Sequence, residues 1–300
     1  MKFVFNYNNR TKCLKYQREK LTLEGVEYMA RIIAVANQKG GVGKTTTAIN
    51  LSACLAEKNR KVLTIDIDPQ GNTSSGLGIE KNKLKNTIYQ MIIGECDLED
   101  CKLQTNIKNL DILPSNVNLA GAEIELIGVE GREFILKSKV EKVRDDYDFI
   151  IIDCPPSLNT LTVNAMTTAD TVLVPIQCEF YALEGLTQLI HTINLVKQRL
   201  NPKLEMEGVV FTMFDARTNL SLQVVENVKN NLKQNIYKTI IPRNVRLAEA
   251  PSHGLPINLY DPKSAGADGY RQLANEVIEK GEAETYTKNE IGEIKYRGKK

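Results

Sequence analysis

Short runs of aliphatic and β-branched residues alternate along this chain with longer stretches whose apolar positions recur every three or four residues. The runs IIAVA, VLTID, FIIID and TVLVP are apolar at successive positions, so both faces of each strand must be covered. The pattern predicts strands at Ile32–Ala36, Val62–Asp66, Leu110–Leu113, Phe149–Asp153, Thr171–Pro175 and Gly208–Thr212. Helical spacing predicts Thr45–Glu57, Glu133–Arg144, Leu183–Leu200 and Ser221–Lys233 between them. Such alternation builds a single doubly wound, mostly parallel α/β sheet flanked by helices, with ligands at the carboxyl ends of the strands. No internal repeat breaks it.

Two segments fall outside the alternation. Residues 1–28 are rich in Asn, Lys, Tyr and Gln and carry no sustained period, so they read as an extension ahead of a domain spanning 29–280. Back-translating Glu24–Met29 gives a purine-rich AAGGAG shortly before an ATG, the form of a bacterial ribosome-binding site. The expectation is translation from Met29; the competing reading is a genuine disordered arm. N-terminal mass spectrometry of the native protein separates the two, since a peptide from residues 1–28 excludes the first. Residues 281–300 are polar and mixed in charge, the composition of a tail that frays.

Composition narrows the function classes. With 300 residues, 42% hydrophobic and 25% charged, the chain has room for one large α/β domain or two small ones. A formal charge of +2 gives no global field, so any nucleic-acid contact must come from a local patch. Aromatics make up 6% and Trp is absent, which argues against a stacking platform for single strands. The six cysteines are scattered without a CxxC pair, as expected of reduced thiols in a cytoplasmic protein. Cys96 and Cys101 form the only close pair, and with no further Cys or His cluster nearby they do not suggest a metal site. No apolar run approaches the roughly 20 residues needed to span a bilayer. The opening residues lack the apolar core of a secretory signal.

The stretch NQKGGVGKTTTAIN joins the first strand to the first helix. Gly43, Lys44 and Thr45 fit the end of the phosphate-loop pattern G-x-x-x-x-G-K-[ST], although Gln38 stands where its first Gly belongs. Gly40, Gly41 and Gly43 let successive backbone N–H groups turn toward phosphate oxygens, and the helix that follows adds its positive end. Lys39, Gly40, Gly41, Val42, Gly43, Lys44, Thr45 and Thr46 are therefore the expected nucleotide-binding residues. Lys44 should reach the β- and γ-phosphates, and the Thr45 hydroxyl should ligate Mg²⁺. FIIIDCPPS delivers Asp153 from a strand end toward the same Mg²⁺, directly or through a water. VLTIDIDPQGN places Asp66 and Asp68 at the next strand end. Asp68 is positioned to orient an attacking water, or alternatively to cap a turn beside Pro69.

KGGVGKTT, DIDPQGNTSSGLG, IIDCPPS, TMFDARTN and IPRNVRLAEAPSHG, in that order and spacing, resemble the ParA/Soj family of chromosome and plasmid partition ATPases. The likeness runs from about Met29 to about Glu279, and residues 1–28 cannot hold an added helix-turn-helix domain. The parent group, defined by the deviant loop K-G-G-x-G-K-[ST], also includes MinD-like membrane ATPases and nitrogenase iron proteins. The resemblance implies an ATP-sandwich homodimer using Mg²⁺ with ATP. Lys39 would reach across to the phosphates held by the partner subunit, supplying charge in trans as an arginine finger does. Lys39, Lys44 and Asp68 are then the catalytic residues, Thr45 and Asp153 the Mg²⁺ residues, and Pro242 and Asn244 the adenine contacts. Hydrolysis should be slow until a ParB-type centromere-binding protein holds the switch loops.

Between His191 and Ala250 nine Lys and Arg face five Asp and Glu, a local excess of four positive charges. With no reading helix, such a patch suits phosphate contact without sequence choice. The resemblance assigns Arg217 and Arg246 to non-specific DNA binding by the ATP dimer, which implies a cytoplasmic protein associated with the nucleoid when ATP is bound. The competing reading pairs Arg217 with Asp215 or leaves both arginines solvated. A MinD-like membrane role would need an amphipathic C-terminal helix. The tail offers only Ile291, Ile294 and Tyr296 among charges and glycines, so no membrane partner is expected. An iron–sulfur role would need paired cysteines at a dimer axis, and Cys154 has no evident match. A nucleotide-switched regulator that binds proteins without DNA fits the switch loops alone.

Overall fold

The computed structural model describes residues 30–179, 181–232 and 236–297, with side chains as far as Glu282. The expected extension 1–28 lies outside the described residues. Eight strands form one sheet: β1 (Arg31–Val35), β2 (Val62–Asp66), β3 (Leu103–Gln104), β4 (Leu110–Leu113), β5 (Phe149–Asp153), β6 (Thr171–Gln177), β7 (Glu205–Phe214) and β8 (Ile236–Pro242). Their order is β3-β4-β2-β5-β1-β6-β7-β8, and every pairing is parallel except β3 on β4.

Strand alternation divides the core in two. Ile32, Ala34, Leu63, Ile65, Ile150 and Ile152 face one layer, and their neighbours Ile33, Val35, Val62 and Ile151 face the other. The first layer is covered by α2 (Thr160–Thr168), α3 (Ala182–Arg199) and α4 (Asn219–Asn231), through Leu161, Leu189, Ile193 and Val228 among others. The second is covered by α1 (Lys44–Glu57) and α5 (Ala265–Arg297). There Tyr270 is fully buried and its hydroxyl lies 3.2 Å from Thr47 Oγ1, which ties α5 to the first turn of α1.

Three expectations are corrected. The edge strands β3 and β8 were not predicted. β8 reads IYKTIIP, with Lys238 exposed in its middle, so it lacks the two-faced apolar run of a central strand. The predicted helix Glu133–Arg144 is broken into a 3₁₀ turn (Arg132–Phe134), a helix of six residues (Ile135–Val140) and a second 3₁₀ turn (Arg144–Asp146). Side chains of α2 take its backbone groups: Leu136 N–H donates to Asn164 Oδ1 at 3.1 Å, and Thr167 Oγ1 donates to Glu133 O at 2.5 Å. The tail expected to fray continues α5 as far as Arg297.

Candidate nucleotide site

The carboxyl ends of β1, β2 and β5 meet in register, with Val35 and Asp66 each opposite Asp153. The loop between β1 and α1 therefore leaves the sheet beside two carboxylates. Its path is pinned from other strands. Asn37 Nδ2 donates to Pro175 O at 2.8 Å while its Oδ1 accepts from Lys39 N–H at 3.0 Å. Thr212 Oγ1, on β7, donates to Val42 O at 2.8 Å.

Gly43, immediately before α1, has φ 87°, and Gly41 has φ 75°, both in the left-handed region where a β-carbon is strained. No atom lies within 4 Å of where a β-carbon of Gly40 or Gly41 would sit, so this part of the turn is open to an approaching group. No side chain caps α1 and no acidic residue stands in its first turn. Its leading N–H groups and positive end are thus left for an anion.

Lys44 is 7% exposed and its Nζ donates to Lys39 O at 3.1 Å, curling back over the loop. Burial lowers its pKa, against the opposing pull of Asp153, Cys154 and Asp68. Thr45 Oγ1 and Thr73 Oγ1 donate to the same oxygen of Asp153, Oδ2, at 2.8 and 2.7 Å. Asp153 Oδ1 is buried without a hydrogen-bond partner among the described residues. A carboxylate with one oxygen satisfied and the other bare, next to a threonine hydroxyl, fits a hydrated divalent cation. The strain shows in protonation: burial, and then the neighbouring Asp66, pushes Asp153 up to about 7. Burial likewise pushes Asp66 up to about 6, against hydrogen bonds from Ser74.

Asp68 is 8% exposed. Its Oδ1 accepts from Gln70 N–H at 2.9 Å, so in this structure it caps the turn after Pro69. The same turn is clamped from two sides: Asp66 Oδ2 accepts from Ser74 N–H (2.8 Å) and Oγ (2.7 Å), and Ser115 Oγ donates to Asp68 O (2.8 Å). Lys39 points away from the loop and pairs with Glu179, beyond β6, with both side chains 40% or more exposed.

The remaining expected residues lie at the same end of the sheet, over β7 and β8. Pro242 ends β8 opposite Phe214, and Arg243 N–H donates to Phe214 O at 2.9 Å, which brings the two following loops together. Asn244 Oδ1 accepts from Arg246 N–H at 2.8 Å and so caps the short helix Val245–Glu249. Arg217 forms a two-pronged pair with Asp215, at 2.9 and 2.7 Å, and that guanidinium holds Asp215 down at about 2. Arg246 pairs with Glu249 at 2.9 Å and lies 3.6 Å from Asp261. Each arginine is thus partly neutralised by a carboxylate that the sequence count already includes, so the net excess of four positive charges is carried by other basic residues of the stretch.

Residues 30–206 match the family model described as an AAA domain. The sporulation initiation inhibitor protein Soj of Bacillus subtilis is 56% identical over 253 residues, covering 84% of this chain and 100% of its own. The chain belongs to the Soj/ParA family. A second Soj/ParA relative, the chromosome partitioning protein ParA of Myxococcus xanthus, is 51% identical over 84% of this chain and 89% of its own. The Soj/ParA fold is also that of a Mycobacterium smegmatis protein named cobyrinic acid a,c-diamide synthase, solved with a bound ATP analog and magnesium. That structure has a TM-score of 0.74 and 38% identity, covering 83% of this chain and 94% of that one.

Five contributors to this Soj/ParA site escaped the sequence reading. Thr73, Ser74, Ser115 and Thr212 reach the loop and the strand-end aspartates from elsewhere in the chain; Thr73, Ser74 and Thr212 stand inside DIDPQGNTSSGLG and TMFDARTN, but nothing in those motifs singles out their hydroxyls. Glu179 lies 140 residues from Lys39 and carries no sequence signal at all. Asp66 was visible as the twin of Asp68 in DIDPQ, and its role as the clamp on Ser74 is a finding of the structure.

Proposed function

We propose that this Soj/ParA protein is a Mg²⁺-dependent ATPase of DNA segregation, whose ATP-bound form is a sandwich dimer that binds DNA without sequence choice. The observation that carries the nucleotide reading is the half-satisfied, buried Asp153 carboxylate beside Thr45 and the open glycine turn. The relatives named for chromosome partitioning, and the similar structure holding an ATP analog and magnesium, support the same reading.

ATP phosphates lie along the N–H groups of residues 40–45, with Lys44 on the β- and γ-oxygens. Thr45 and Asp153 would hold Mg²⁺, which would supply positive charge against the phosphate oxygens. Asp68 exchanges its turn-capping bond for a water that it aims at the γ-phosphorus. Lys39 leaves Glu179 and meets phosphates bound by the other subunit, so nucleotide and dimer depend on each other. Pro242 and Asn244 border the base. Arg217 and Arg246 exchange their carboxylates for DNA phosphates, each of the same single charge but set in a dense row whose neutralisation releases counterions. A ParB-type protein fixes the switch loops and resets the cycle.

The test is ATP turnover with and without DNA and a ParB-like protein encoded nearby. Turnover should be low alone and rise by about tenfold or more with both present. Turnover that neither changes would overturn the segregation reading and leave the ATPase standing.

A further inference from the structure

Two cysteines that ATP turnover does not use lie against each other near the β3–β4 edge. Cys96 Sγ and Cys101 Sγ are 3.0 Å apart. That is about 1 Å beyond the bonded separation of about 2.05 Å. The segment between them is fixed at both ends. Gly94, left-handed at φ 87°, ends the helix Ile88–Ile93. Asp97 opens the helix Leu98–Cys101, its N–H donating to Asp100 Oδ2 at 3.0 Å and its Oδ1 accepting from Lys139 Nζ at 2.7 Å. The two thiols therefore face each other because the backbone holds them there.

Access differs between them in a useful way. Cys101 is 1% exposed and belongs to the core, whereas Cys96 is half-buried; the other described cysteines, Cys54, Cys154 and Cys178, are all buried. Only Cys96, among the described cysteines, is open to a solute, and its neighbour is already in reach.

We propose that Cys96 and Cys101 are a reversible thiol–disulfide pair that exchanges with low-molecular-weight disulfides. The Cys96 thiolate attacks one sulfur of the external disulfide, forming a mixed disulfide and releasing one small thiolate, which takes up a proton. Cys101 then gives its proton to solvent base and attacks Cys96 Sγ, expelling the second small thiol. Two protein thiols are oxidised to one disulfide, and one external disulfide is reduced to two thiols. In the dithiol form, burial and then the contact with Cys96 raise the pKa of Cys101, so Cys96 is the thiol that reacts first. The helix that leads into Cys96, Ile88–Ile93, starts beside the Asp68 loop: Ile88 N–H donates to Pro114 O at 2.9 Å, and the next residue along, Ser115, donates its Oγ to Asp68 O at 2.8 Å.

The full chain, equilibrated in glutathione buffers of rising oxidised fraction, is acid-quenched, unfolded, alkylated and cut with trypsin. Both cysteines fall in one peptide, Asn86–Lys102, which has no internal Lys or Arg. The expected product is that peptide unalkylated and lighter by two hydrogens, about 2 Da, returning to the dialkylated form in reducing buffer. Cys54, Cys154 and Cys178 should stay alkylated throughout. Cys96→Ser should abolish the lighter peptide, and Cys101→Ala should stop at a glutathione adduct on Cys96. Should the buried Cys101→Ala variant fail to fold, the wild-type and Cys96→Ser arms decide. Dialkylated peptide at every poise, or a wild-type chain that accumulates only the adduct, would overturn the proposal.

Discussion

The floor of the nucleotide site and its rim are built from the same residue types in opposite ways. On the floor, Lys44, Asp66, Asp68 and Asp153 are all less than a tenth exposed and held by the loop's own backbone and by hydroxyls and N–H groups of the turns and helices that follow β1 and β2. On the rim, Lys39, Arg217 and Arg246 are exposed and each rests on a nearby carboxylate. Exposed pairs of that kind hold weakly and exchange easily, whereas buried groups missing one partner are costly until something completes them. Residues proposed to serve the chain's own nucleotide are thus set in place in advance. Those proposed to serve a second subunit or DNA are kept on replaceable partners.

The contrast can be broken at several points. The largest effect is expected at Asp68: Asp68→Ala should lower turnover by about 10³-fold while ATP binding and dimerisation persist. Equal turnover by the two proteins would return Asp68 to the turn-capping role seen in the structure. Lys44→Ala should weaken ATP binding by about 100-fold, read by calorimetry on the monomer. On the rim, Arg217→Glu with Arg246→Glu should cut DNA retention roughly tenfold and lower the slope of log affinity against log salt by about 2. ATP-driven dimerisation should be unchanged, and retention with an unaltered slope would remove these arginines from the DNA surface.

The smallest effect concerns pH. Asp66 and Asp153 are raised in the folded chain to about 6 and about 7, both chiefly by burial. The fold therefore favours their protonated forms. Their contribution to stability is complete below the unfolded carboxylate range and is lost as pH rises through 6 to 7. Without ligand, the wild-type melting temperature should fall between pH 5 and pH 8 by more than that of Asp153→Asn. At pH 8 the variant should melt higher, by roughly 2–4 °C for each kcal/mol recovered, and Mg²⁺ with nucleotide should no longer stabilise it. Parallel pH profiles for the two would mean that Asp153 carries no such burden.

Legibility in the sequence follows the same division. The central strands could be read because FIIID and IIAVA must be covered on both faces. β8 could not, because as an edge strand it buries only alternate positions. Glu133–Arg144 has helical spacing, but Asn164 and Thr167 of α2 compete for its backbone, a contact that no local pattern records. Lys44 and Thr45 could be proposed from the sequence because phosphate chemistry asks for them within one turn of the glycines. Thr73, Ser74 and Glu179 were not, since only the folded sheet brings them to the loop. Lys39 is an intermediate case: its position in the loop was plain, and its proposed service to another subunit came from resemblance alone.

The account turns on that lysine. The most direct measurement is the mass of the particle by light scattering, with Mg²⁺ and ATP, for Lys39→Ala placed in the hydrolysis-deficient Asp68→Ala chain. Nucleotide affinity of the monomer is measured alongside it. Dimer should be lost while monomer affinity stays within about threefold, as expected for a cation whose phosphates belong to the partner. A full dimer, or a loss of monomer affinity as large as the loss of dimer, would contradict the assignment of Lys39 to the neighbouring subunit.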